Sequence, residues 1–144
     1  MPRDVIFIVL AAGLGIAGAV GYSALTGTAP TPEALTQVNG LDEAMAQAEA
    51  TDRPVVAVVT ADWCPPCQHL KRTTLQDERV AGWLSENAVA VTIVEGQHND
   101  DLARLPIEVF PTTYVIKDST IVGQAQGYRD TDDFLEFLQT ASDG

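Results

Sequence analysis

Two kinds of hydrophobic pattern divide the chain. Residues 5–25 carry no charged side chain, and as a helix they would extend about 32 Å, which matches the hydrocarbon thickness of a bilayer. After residue 35, short apolar runs alternate with amphipathic segments and polar turns. The pattern predicts an N-terminal segment over residues 1–27, a Pro-, Thr- and Ala-rich linker over residues 28–34 and one domain over residues 35–144.

Within the domain, the apolar periodicity predicts alternating strands and helices. The β-branched run 55–59 and the run 88–94 are typical of strands buried on both faces, and an Asp118-Ser119 turn joins a hairpin. The predicted strands are 35–38, 55–59, 88–94, 112–117 and 120–124. The predicted helices are 41–50 with Asn39 as cap, one from the first cysteine to about residue 75, 78–86, a turn at 101–105, and 131–140 with Asp130 or Thr131 as cap. The order β-α-β-α-β-α-β-β-α predicts an α/β fold, a mixed central sheet with helices on both faces.

Length and net charge limit the number of domains and the class of partner. The 144 residues suffice for one domain, and 20 acidic against 8 basic side chains give a net charge of −12. Such a surface repels phosphate backbones, which excludes nucleic-acid binding. We expect a monomer.

The charge distribution predicts export of the domain. Arg3 precedes the uncharged run, and the next basic residue is Arg53, so the amino end is expected in the cytoplasm and the domain outside it. One alternative is a signal peptide cleaved at Ala17-Gly18-Ala19, which leaves a soluble exported protein. A buried helix of a soluble protein is a third interpretation.

The candidate chemistry lies at Cys64 and Cys67, the two cysteines of the chain. This C-x-x-C follows a predicted buried strand, opens a predicted helix and is preceded by Trp63. The amino end of a helix stabilises a thiolate at Cys64, which attacks a partner disulfide, and Cys67 then resolves the mixed disulfide. The alternatives are a structural bridge, whose small loop yields roughly 2 kcal/mol, and a metal site. We expect no cofactor besides the cysteine pair.

The histidines do not favour the metal alternative. His69 lies two residues after Cys67, an offset that points away from the cysteine on a helix. His98 lies in a polar stretch and is predicted to be a solvated loop residue. We therefore expect no metal.

Several motifs resemble the thioredoxin superfamily from about residue 35 to residue 138. They are the strand VVAVVT, the motif A-D-W-C-P-P-C, Phe110-Pro111-Thr112 where the family has a cis-proline, and Gly127 before a last helix. Within the superfamily, the segments L-T-Q-V, L-D-E-A and R-P-V-V are similar to the periplasmic C-terminal domain of the transmembrane thiol:disulfide interchange proteins and to their membrane-tethered relatives.

The resemblance implies a thioredoxin fold and a role for each site residue. Cys64 would be the nucleophile, Cys67 the resolving thiol and Pro111 the cis-proline beside them. The groove for the partner would be lined by Trp63, Pro65, Pro66, Phe110 and Thr112. The implied protein is a disulfide reductase for protein substrates, held at a bacterial inner membrane by residues 5–25 with its domain on the periplasmic side.

The sequence departs from the family at the groups that move protons. The position of the family's buried acid is Val58, residues 88–94 contain no lysine, and Gln68 replaces the lysine after the second cysteine. Proton transfer at Cys67 would then use water or another group. Asp62 is a candidate for tuning Cys64 or contacting partners, or is a solvated loop carboxylate.

Two function classes remain at this stage, an oxidoreductase and a thioredoxin-fold interaction or chaperone module without redox turnover. For the oxidoreductase, Pro65 and Pro66 lack N–H groups, so Cys67 is left as the main donor to the Cys64 sulfur. Few donors predict a reducing couple, near the roughly −270 mV of thioredoxin. A reductant in an oxidising compartment must be recharged, so we expect a transmembrane electron donor.

Overall fold

The structure, a computed structural model, describes residues 27–144. The predicted anchor or signal segment over residues 5–25 lies outside these residues. In the described part of the chain, no helix combines the length and the apolar character needed to cross a membrane.

Four strands and five α-helices make up the described domain. The strands are β1 (Val55–Thr60), β2 (Val89–Val94), β3 (Thr112–Lys117) and β4 (Thr120–Gln126). The helices are α1 (Leu41–Thr51), α2 (Pro65–Arg72), α3 (Glu78–Asn87), α4 (Asn99–Leu102) and α5 (Thr131–Asp143). Two 3₁₀ turns, Glu33–Leu35 and Thr74–Gln76, complete the order.

The strands form one mixed sheet in the order β2-β1-β3-β4. β1 and β2 are parallel, while β3 runs antiparallel to both β1 and β4. Every residue of β1 and β2 is buried, as the β-branched run of β1 predicted. The buried β1 therefore ends in the middle of the sheet, where residues 61–64, the cysteine loop, begin.

Alternate residues of β1 point into two hydrophobic cores. Val55, Ala57 and Val59 face α1, whereas Val56 and Val58 face the side covered by α2, α3 and α5. Because a strand alternates its side chains, one apolar run supplies both cores. The predicted fold class, an α/β sheet with helices on both faces, is confirmed.

The predicted edge strand over residues 35–38 is wrong. Glu33–Leu35 is a 3₁₀ turn, and Leu35 is buried in the core that contains Leu84 of α3. A single turn therefore buries the apolar side chain without a strand partner, and the sheet has four strands rather than five.

The predicted cap of α1 is also wrong. The N-cap is Gly40, at φ 91°, and the amide of Leu41 donates to the carboxylate of Asp101 at 3.0 Å. The amide of Asn39 donates instead to Glu43 at 2.7 Å. A carboxylate from a distant part of the chain thus replaces the local cap.

Other boundaries differ by a few residues. The helix predicted to reach residue 75 ends at Arg72, where the hydroxyl of Thr73 donates to the carbonyl of His69 at 2.8 Å. The turn predicted at 101–105 is α4, two residues earlier. Asp130 caps α5 as predicted, because its carboxylate accepts from the amide of Asp133 at 3.0 Å.

The segment predicted as a linker lies against α2. Ala29 is 4 % exposed, and its amide donates to the side-chain oxygen of Gln68 at 2.6 Å. Arg72 donates to the carbonyl of Gly27, and Pro32 is buried. The chain therefore enters the domain along the helix that carries the cysteines.

Candidate active site

The cysteine pair lies at the amino end of α2, as predicted. Cys64 is the N-cap and forms a disulfide with Cys67, with 5.3 Å between their Cα atoms. Pro65 and Pro66 occupy the first two helical positions, so the first-turn amide that can reach the Cys64 sulfur is that of Cys67, which donates at 3.2 Å. The sulfur of Cys64 therefore occupies the positive end of the helix with one backbone donor.

Two aromatic side chains flank the disulfide. Trp63 is 67 % exposed, and its indole N–H donates to the carboxylate of Glu95. Its ring meets Phe110 edge to face, with centroids 5.6 Å apart and planes at 76°. Phe110 in turn packs against the buried cluster of Ala61, Cys64 and Cys67, while Trp63 extends into solvent beside it.

The proline loop, which carries Phe110 and Pro111 directly before β3, lies at the same end of the sheet as the cysteine loop. The Phe110–Pro111 peptide bond is cis, as the resemblance implied. Thr112 follows at the start of β3 and pairs with Val59, near the end of the strand that leads to the cysteines. The carbonyl of Pro111 accepts from the amide of Gly127 at 2.7 Å, which ties the loop to the end of β4.

The predicted groove residues divide into exposed and buried groups. Pro65 and Pro66 are exposed beside Trp63, Phe110 is half-buried, and Thr112 is buried, as is the cis-proline Pro111 before it. The hydroxyl of Thr112 donates to the carbonyl of Val109 at 2.6 Å. The exposed residues can contact a partner, while Thr112 contributes mainly by shaping the loop.

One charged side chain of the site was missed by the sequence analysis. Lys71, on α2, is 2 % exposed, and burial lowers its pKa, although the nearby negative charge of Asp62 raises it in part. Val58, the position where the family has an acid, is fully buried among apolar side chains. The available signal was spacing, since residue 71 lies on the same face of the helix as Cys67.

Gln68 is a second residue that the sequence analysis underrated. Its side-chain oxygen accepts from Ala29, and its side-chain nitrogen donates to the carbonyls of Ala61 and Asp62, both at 3.4 Å. It thereby joins the segment before the domain to the loop that carries the cysteines.

The two histidines have structural contacts. His69 stacks on Tyr128 with centroids 4.6 Å apart. His98, predicted to be solvated, is half-buried, and its Nδ1 accepts from the amide of Val94 at 3.1 Å. Among residues 27–144, no group of three or more His, Cys, Asp or Glu side chains is arranged to hold a metal ion.

Comparison with known proteins gives one family and several distant relatives. Residues 41–142 match the family described as thioredoxin-like domain. The thiol:disulfide interchange protein DsbD of Ralstonia nicotianae is 38 % identical over 68 residues, 47 % of this chain and 11 % of that protein. The chloroplastic thioredoxin F-type of Spinacia oleracea is 32 % identical over 95 residues, 64 % of this chain and 46 % of that protein. The chain thus spans less than half the length of either relative.

Solved structures agree on the fold. A thioredoxin from Thermus thermophilus superposes with a TM-score of 0.62 at 25 % identity, covering 70 % of this chain and 82 % of that one. A structure described as DsbH oxidoreductase superposes with a TM-score of 0.64 at 16 % identity, covering 81 % of this chain and 88 % of that one. The second likeness concerns the fold alone.

Proposed function

We propose that this chain works as an extracytoplasmic disulfide reductase. It belongs to the thioredoxin-like domain family and is an oxidoreductase with C-x-x-C active-site cysteines. The observation that carries the proposal is the position of Cys64. Its sulfur caps α2 and accepts one backbone N–H bond, and Cys64 belongs to the buried cluster against which Phe110 packs.

The proposed reaction is dithiol-disulfide exchange. In the reduced protein, the Cys64 thiolate attacks one sulfur of a protein disulfide, forms a mixed disulfide and releases the other sulfur as a thiolate. The Cys67 thiolate then attacks the Cys64 sulfur, breaks the mixed disulfide and releases the second sulfur of the partner. The partner gains two electrons, and the Cys64–Cys67 disulfide forms.

The donor count at Cys64 favours the reducing direction. A couple becomes more oxidising as its reduced form is stabilised, chiefly through the thiolate. The two prolines remove two of the first three amides of α2, and the amide of Cys67 donates at 3.2 Å. We therefore propose a potential near the roughly −270 mV of thioredoxin.

Residues 5–25 are proposed to hold the domain at the membrane. The support is their uncharged, bilayer-length composition and the basic residue that precedes them. A reductant outside the cytoplasm needs an electron source, which we propose to be a transmembrane dithiol donor. Carbonate extraction of membranes tests the anchor: the full-length chain should stay in the pellet, and a mature protein that begins near Val20 would instead establish a cleaved signal.

The redox role is tested by reduction of insulin disulfides with a chemical dithiol as electron source. The wild-type protein should accelerate the reaction, and Cys64→Ser should abolish the acceleration. Cys67→Ser should trap the mixed disulfide, because the first attack proceeds and the second does not. Equal activity of the wild type and Cys64→Ser would contradict the proposal and favour an interaction module.

A further inference from the structure

The resolving cysteine lies where ionisation is unfavourable. Cys67 is 0 % exposed and packs with Ala61, Cys64 and the ring of Phe110. Burial disfavours the charged form of a thiol, and the thiolate is the species that attacks. The amide of Cys67 donates to Cys64, so the helix end serves the first cysteine rather than the second.

The neighbouring strands carry no charge that could assist Cys67. β1 and β2 consist of apolar residues and threonines, and the segment 27–32 contains no ionisable side chain. Within residues 27–144, Lys71 is the one charged residue that is buried as a whole, while Arg129 is half-buried, with its Nε enclosed and its guanidinium over Phe137. Lys71 is therefore the one wholly buried charged residue on the helix that carries the cysteines.

Lys71 is placed to act on the cysteine pair. It follows Cys67 by four residues on α2, a spacing that puts their Cβ atoms about 5–6 Å apart on one helix face. Helical side chains lean toward the amino end, which is the end that carries both cysteines. The negative charge of Asp62, two residues before Cys64, partly offsets the lowering of the Lys71 pKa by burial.

We propose that Lys71 is the positioning residue that keeps Cys67 available as a thiolate for the resolving step, with Asp62 as its exposed counter-ion. This role deepens the proposed reductase function and rests on it. In this role Lys71 acts through its positive charge and transfers no proton. The proton of Cys67 passes to water, the Cys67 sulfur bonds to the Cys64 sulfur, and the partner sulfur leaves with the electron pair of the broken bond.

The other charged groups near α2 do not compete for this role. His69 and Arg72 are exposed on the same helix, His69 against Tyr128 and Arg72 against the carbonyl of Gly27. Asp62 is the charged group that acts on Lys71, and its negative charge opposes the effect of the ammonium on the thiolate. Lys71 and Asp62 are therefore expected to shift the ionisation of Cys67 in opposite directions.

The test measures the ionisation of Cys67 in a Cys64→Ser background, where one thiol remains and its titration belongs to one residue. Thiolate absorbance is followed against pH. Lys71→Met keeps the length and apolar stem of the side chain, and it should raise the ionisation midpoint by about one pH unit, a tenfold loss of thiolate below the midpoint. Lys71→Arg should restore the midpoint, Asp62→Asn should lower it, and Lys71→Gln serves as a second neutral variant.

Arg72→Met is the matched control, because it removes the same charge from the next, exposed position of α2. In proteins with both cysteines, Lys71→Met should slow the decay of the mixed disulfide about tenfold and leave its formation at Cys64 less affected. Equal midpoints for Lys71→Met and Arg72→Met, or no rescue by Lys71→Arg, would overturn the role of Lys71. Wild-type insulin reduction would still stand in that case, whereas its absence would refute the proposed function itself.

Discussion

The hydrogen bond between Gln68 and Ala29 is predicted to stabilise the folded protein, because it joins the segment before the domain to the helix that carries the cysteines. The side-chain oxygen of Gln68 is the acceptor for the amide of Ala29 at 2.6 Å, and Ala29 is buried. Gln68→Met keeps the length of the side chain and removes every polar contact. The buried amide of Ala29 then loses its acceptor, while the space around residue 68 stays filled.

The size of the effect follows from which groups stay paired. The carbonyl of Ala61 keeps the amide of Cys64 at 3.3 Å, and Asp62 is exposed, so its carbonyl can turn to water. The two bonds from the Gln68 nitrogen are long, at 3.4 Å. The cost is therefore mainly one unpaired buried amide, about 2 kcal/mol within the usual range of about 1–3 kcal/mol.

Urea unfolding followed by circular dichroism measures this cost. With a slope of about 1–3 kcal/mol/M, the midpoint should fall by about 1 M. Gln76→Met is the control, because Gln76 is exposed and its replacement should change the free energy of unfolding by less than about 0.5 kcal/mol. Ala29→Pro removes the donor, so Gln68→Met should cost clearly less in that background. An equal cost in both backgrounds, or a cost no larger than that of Gln76→Met, would refute the assignment.

Three further predictions concern the packing of β4 on α5, the exposed side chain of Trp63 and the dependence of stability on pH. A Cβ added at Gly123 would lie 2.5 Å from a side chain of α5, so Gly123→Ala should destabilise the protein by about 1–3 kcal/mol and lower the melting temperature. Gly82→Ala is the control, because a Cβ there meets nothing within 4 Å and should stabilise the protein by about 0.5–1 kcal/mol. A stabilised Gly123→Ala would contradict this packing. Glu95→Ala should release the indole of Trp63 and raise KM for a protein disulfide several-fold at nearly constant kcat, and a fall in kcat alone would argue against a binding role. The backbone N–H of Arg79 donates to the carboxylate of Asp77 and holds the pKa of Asp77 below its usual range. The stability that this bond confers is complete above the unfolded pKa of about 3.9 and is lost as the pH falls through the pKa of the folded state. Thermal melts against pH should show a flatter acid limb for Asp77→Asn, and an unchanged limb would oppose this.

The parts of the fold that the sequence predicted are those specified by nearby residues. The β-branched run of β1 predicts a fully buried strand because its own side chains supply both cores. The C-x-x-C with two prolines predicts a capped helix start because the cap, the missing amides and the donor lie within four residues. The membrane segment over residues 5–25 and the monomeric state stay predictions.

The features that the sequence did not predict depend on contacts between distant residues. The amide of Leu41, at the start of α1, donates to the carboxylate of Asp101, which lies 60 residues away. Nothing in the sequence near Asn39 indicates that this carboxylate replaces the side chain of Asn39 as the acceptor. Gln68 is a polar helix residue until the buried amide of Ala29, 39 residues earlier, becomes its partner. Lys71 was not predicted for a different reason. Its position on the helix face of Cys67 follows from the sequence, but the burial of its side chain depends on how α2 packs.

Equilibration of the cysteine pair with glutathione buffers tests the central claim most directly. The fraction of oxidised Cys64–Cys67, measured by alkylation and mass spectrometry across the buffer series, gives the reduction potential. A reductase whose Cys64 sulfur has one backbone donor should give a potential near about −270 mV. A potential above about −180 mV would make the protein an oxidase or isomerase, and a pair that does not exchange with glutathione would make the disulfide structural.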